Sequence, residues 1–146
     1  MFGGLMVAEA VVTILDGVSE IAGWPIVKSR GLISKDQGPP AVLFHTEDGS
    51  YTRPINRRLA GMITSEDLRL LVRVVGADAS EEAIYDQAVA VLEKLDMTKV
   101  DMQDRDGRGV SIYIEADSEY QNPGTPPGVP VYAMLGNWYR VEVRKG

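Results

Sequence analysis

Residues 67–75 alternate between apolar and polar positions. Leu68, Leu70, Val72 and Val74 fall on one side of an extended strand, and Asp67, Arg69 and Arg73 on the other. Leu71 and Val75 make the second side partly apolar. A strand with one core side and one polar side favours an antiparallel sheet with helices on a single face. Gly76 to Ser80 then leads into a helix that Asp78 or Ser80 can cap, and Glu81 and Glu82 suit the positive end of its dipole. Ile84, Ala88, Val91, Leu92 and Leu95 form the apolar stripe of that helix.

The remaining segments fit around this strand-to-helix unit. Residues 6–21 read as a first helix, with Val7, Val11, Leu15 and Val18 at helical spacing and Ile14 and Ile21 widening the stripe. Gly23 and Pro25 are expected to end it. It is apolar over more than half its surface, so a sheet, a neighbouring subunit or both must cover it. Residues 26–29 read as a short strand, 35–40 as a loop, 41–46 as a strand and 47–50 as a turn. Residues 51–55 can pair back as a hairpin, with Pro54 placing that strand at an edge.

Residues 101–109 read as a charged, turn-rich loop. Val110, Ile112 and Ile114 alternate with Ser111, Tyr113 and Glu115 in a further strand. Residues 117–130 carry Pro123, Pro126, Pro127 and Pro130 with Gly124 and Gly128, which excludes regular structure. Residues 131–143 close the chain, with Tyr139, Val141 and Val143 alternating against Arg140, Glu142 and Arg144. The expectation is one α+β domain over residues 1–146, a mainly antiparallel β-sheet with two principal helices packed on one face.

Composition narrows the chemistry. With no cysteine, disulfides, thiolate metal sites and a cysteine nucleophile are excluded. The net charge is −6, and Arg57-Arg58 is the only adjacent basic pair before Arg144-Lys145. Direct binding to a nucleic-acid backbone needs concentrated Lys and Arg, so it is not expected. An acidic surface can instead line a channel through which DNA slides. The apolar stretch from Leu5 to Leu15 is too short to span a bilayer, and no Lys or Arg precedes Lys28 to form a signal-peptide n-region. The expectation is a protein made and used without crossing a membrane.

Each candidate for catalysis or ligand binding has a structural explanation. The one histidine, His45, sits at the end of an apolar run, and no Gly-x-Ser-x-Gly elbow accompanies it. The run from Asp101 to Gly107 resembles a calcium loop only in part. With Gly107 at the glycine position, Asp104 and Asp106 fit, but Met102 and Tyr113 stand where the first and last carboxylate ligands belong. There is no phosphate-binding Gly-Lys-Ser/Thr, and nothing in the sequence brings Asp96 and Asp101 together as an acid–base pair. No catalytic, cofactor or metal site is expected. Tyr132, Trp138 and Tyr139 surround the closing strand, and Tyr120 stands in the proline-rich loop. Aromatic residues beside arginine anchor interfaces, and they also simply pack on sheets; both readings stand for Trp138 and Tyr139.

The order of parts is an apolar helix, the Pro40-Ala41-Val42 strand, a hairpin, the strand-to-helix unit 67–95, an irregular loop and a closing strand that opens on Trp138. In this order, length and acidity the chain resembles the tail terminator family of long-tailed phages, the minor tail protein U type. The resemblance implies a structural virion protein of the tail or neck, assembled in the host cytoplasm. It would form a hexameric ring that caps the tail tube, ends its polymerisation and offers a face to the head–tail connector. DNA would pass through the lumen without specific binding. The partners would be further copies of the chain, the tube protein and the connector, with no cofactor and no membrane. Irregular loops are the expected contacts because the scaffold elements look committed to the core. That gives Lys28, Arg30, Lys35, Tyr120, Asn122 and Pro126, joined by Trp138 and Arg140 of the closing strand. Another neck or tail-tube protein and a small cytoplasmic enzyme remain as alternative expectations.

Overall fold

A computed structural model describes residues 3–29, 40–48, 64–77, 80–117 and 133–145. Its elements are α1 (Gly3–Asp16), β1 (Ile26–Lys28), β2 (Ala41–Asp48), β3 (Thr64–Val75), α2 (Tyr85–Leu95), β4 (Thr98–Gln103), β5 (Gly109–Ala116) and β6 (Met134–Lys145). The fold is α+β, as its alternating strands and apolar-striped helices require. The six strands form one sheet in the order β1-β2-β3-β6-β5-β4. Every neighbouring pair is antiparallel except β1 with β2, which is parallel. Parallel pairing needs a connection of about a dozen residues, and the sequence between Lys28 and Ala41 has that length.

The core lies between one face of the sheet and the two helices. Val7, Ala10, Val11 and Leu15 of α1 and Val91 and Leu95 of α2 are buried there. They meet Val42 and Phe44 of β2, Leu68, Leu70, Val72 and Val74 of β3, Val110, Ile112 and Ile114 of β5, and Tyr139, Val141 and Val143 of β6. Burying each of the larger side chains contributes roughly 1.5–3 kcal/mol. Neither an acid in the first turn of α1 nor a base in its last turn supports its dipole, so packing holds that helix.

Four sequence expectations are corrected. The first helix is shorter than residues 6–21: it runs from Gly3 to Asp16. The N–H groups of Gly17 and Val18 turn back to the carbonyls of Ile14 and Leu15, three residues earlier, and Ser19–Ile21 forms a separate 3-10 turn. Val18 and Ile21 still reach the core, which is why their spacing mimics a continuous helix. The second helix begins at Tyr85 after a 3-10 turn at Glu82–Ile84, and no side chain caps it at its N-cap, Ile84. Strand β4 occupies the first part of the expected loop 101–109. Only residues 104–108 turn, with the Asp104 carboxylate accepting from the N–H groups of Asp106 and Arg108, each at 2.9 Å. Strand β2 extends through Glu47 and Asp48, the first half of the turn that the sequence suggests at residues 47–50. The hairpin expected at residues 51–55 lies outside the described residues.

Two backbone positions are demanding. Gly136 of β6 lies opposite Arg73 of β3, and a Cβ there would sit 2.7 Å from the Val72 carbonyl oxygen and 3.0 Å from Arg73 Cγ. Met97 joins α2 to β4 with φ 55°, a left-handed conformation that costs a non-glycine residue about 1 kcal/mol. Its side chain is 77 % exposed and so contributes little packing. In urea denaturation, Gly136→Ala is expected to destabilise by about 1–3 kcal/mol. Met97→Gly is expected to stabilise by up to about 1 kcal/mol. Opposite signs would show that these two positions are not strained as described.

Candidate functional site

Because alternate strand residues point to opposite faces, the sheet turns a second set of side chains away from the helices. No described helix covers this face, called here the helix-free face, and at one end of it Ala41, Leu43, Val75 and Met134 form a small buried cluster, with Val27 packed against it. Apart from the buried Leu71 and two serines the rest is charged and aromatic, and strand register orders it in rows. One row holds His45, Leu71 and Trp138. The next holds Glu47, Arg69, Arg140 and Glu115. A third holds Asp67, Glu142, Tyr113 and Lys99, and a fourth Ser65, Arg144, Ser111 and Asp101.

Trp138 is the centre of the first contact group. The Arg69 guanidinium lies 4.3 Å from its ring centroid, a cation–π distance, and also pairs with Glu47 at 3.7 Å. His45 meets the same indole edge-on, with centroids 5.9 Å apart and planes at 86°. Tyr113 centres a second group. Lys99 and Arg144 lie 5.6 and 5.4 Å from its ring, and Arg144 also donates to Glu142. That hydrogen bond, followed by the charge of Glu142, holds the Arg144 guanidinium still more firmly protonated. The side chains of Arg69 and Glu47 are 44 % and 40 % exposed, so their pair adds little to folding. Their value lies in presenting a preformed polar and aromatic surface.

The expected site residues separate. Trp138 and Arg140 stand together on this face. Lys28 ends β1 at the far edge of the sheet, with β2 and β3 between it and β6. Arg30, Lys35, Tyr120, Asn122 and Pro126 lie outside the described residues. Glu142 and Arg144 share this face with Arg140 as the alternation of β6 implies, whereas Glu47, Arg69, Tyr113 and Lys99 are members the sequence reading missed. Their alternation was visible, but only register shows that they share it. Asp96 and Asp101 are engaged apart: Asp96 accepts from the N–H of Ala116 at 2.8 Å, and Asp101 from the hydroxyl of Ser111 at 2.8 Å. No group of carboxylates and histidine able to hold a metal occurs among the described residues. No described helix is long and apolar enough to cross a membrane. No protein-family model and no curated protein matches the chain.

Tyr139, the neighbour of Trp138, points the other way and is buried in the core. Burial, and then the nearby Asp96 charge, push its hydroxyl pKa up from the ordinary 10.0. The folded chain therefore keeps a proton that the unfolded chain releases above that value. The resulting stability is complete below about pH 10 and falls as pH rises further. Tyr139→Phe is expected to lessen this alkaline loss relative to the parent in denaturation at pH 8 to 11. An unchanged pH slope would show that Tyr139 does not titrate as argued.

Proposed function

We propose that the protein acts by assembling with other chains, as a terminator that caps the tail tube of a long-tailed phage and contributes to the head–tail joint. The observation that carries the assembly reading is the helix-free face. It gathers Trp138, Tyr113, Arg69, Arg140 and Arg144 on rigid strands, and aromatic residues with arginine are the types that anchor interfaces. The terminator reading draws its support from the resemblance noted in the sequence, whose parts are α1, β2, β3, α2 and the closing β6 of this chain. The β4–β5 hairpin stands between α2 and β6 in addition.

Action is steric in this reading. Copies of the chain join head to tail, and the ring closes after a fixed rotation. One side of the ring meets the tube protein and stops its growth, and the other meets the connector. The net charge of −6 suits a lumen that DNA crosses without adhering. Lys28, Arg30, Lys35, Tyr120, Asn122 and Pro126 serve the contacts above and below the ring.

The test is electron microscopy of the tube protein of the same virion as it polymerises with and without this chain. The expected result is tubes of arrested length, each carrying one closed ring at an end. Tubes of unchanged length would contradict the proposal, and open-ended polymers of the chain itself would make it a tube subunit.

A further inference from the structure

The helix-free face sets like charges side by side. Arg69 stands directly across from Arg140, and in the next row Asp67 stands directly across from Glu142. Like charges opposed across antiparallel strands destabilise the sheet that carries them. Arg69 has Glu47 at 3.7 Å, Arg144 holds Glu142, and Arg140 stands across from Glu115 of β5 without a close ion pair among the described residues. The strain of these rows is therefore only partly relieved within the chain.

The same rows are their own complement. Read along β6, the outward residues are Trp138, Arg140, Glu142 and Arg144. Reversed and laid against itself, this set places Arg140 on Glu142 and Trp138 on Arg144, giving ion pairs at the middle and cation–π contacts at the ends. Along β3 the outward Asp67 and Arg69 do likewise, with Arg69 on Asp67, while Leu71 beyond them is buried. Register aligns the two midpoints, because Arg69 shares a row with Arg140 and Asp67 shares one with Glu142. One two-fold axis across the strands, between these rows, satisfies both sets together.

We propose that this face binds a second copy of the chain in an isologous, face-to-face pair, with Arg140 of each copy meeting Glu142 of the other. In such a pair every contact occurs twice. It rests on the reading of this face as an assembly surface, but not on the tail-terminator reading, and its two-fold pairing differs from the head-to-tail contact of a ring. Facing sheets pack about 10 Å apart, a gap that arginine and glutamate can bridge.

Charge reversal tests the pairing by sedimentation equilibrium of the full chain. The parent is expected to dimerise more weakly as salt rises. Arg140→Glu alone and Glu142→Arg alone should each weaken the homodimer by about tenfold or more. An equimolar mixture of the two variants should associate again, since each copy then offers what the other lacks. Unfolded or damaged variants could not produce that recovery. A parent that stays monomeric, or variants that fail to recover on mixing, would overturn the proposal. A parent that stays monomeric yet still caps tubes would remove this inference alone.

Discussion

The ladder between β3 and β6 is the interaction on which the rest of the molecule depends. It runs from Thr64 opposite Lys145 to Val75 opposite Met134, the full length of both strands, at the middle of the sheet. Its register decides which side chains face the helices. A slip by one residue would carry Leu68, Leu70, Val72, Tyr139, Val141 and Val143 out of the core and turn arginines into it. Gly136 adds a steric condition, because only a residue without a Cβ fits against the backbone at Val72 and Arg73.

The two faces created by this ladder have unlike tasks. The helix side is apolar, holds most of the buried residues and supplies the stability. The other side carries Trp138 and Tyr113 among arginines, lysine and carboxylates, and several of these side chains are a third to a half exposed. Ion pairs at that exposure do little for folding. A surface of this composition, held rigid by central strands, is suited to recognition, where preorganisation cuts the entropy cost of binding.

Much of the fold was legible because its strands keep strict alternation. The side chains of β3, β5 and β6 point where their period of two places them, and the stripe of α2 likewise marks its buried side. The boundaries of α1 were not legible, because Val18 and Ile21 keep helical spacing through a turn that is no longer α-helical. Strand β4 was hidden for a different reason. Its core side is only Val100 and Met102, and the charges of Lys99 and Asp101 on the other side imitate a loop. Trp138 and Arg140 were legible as one surface from alternation within β6 alone. Arg69, Tyr113 and Lys99 come from other segments, so only pairing between strands could place them there.

The central claim is that the helix-free face is the surface through which the chain associates, and hydroxyl-radical footprinting across a concentration series tests it most directly. Trp138 and Tyr113 report on that face, and Tyr85 and Met97, exposed on α2 and at its end, serve as references. The account predicts that Trp138 and Tyr113 become protected as the chain associates while Tyr85 and Met97 stay reactive. Protection of Tyr85 and Met97 with Trp138 and Tyr113 unchanged would contradict it and move the working surface to the helix side.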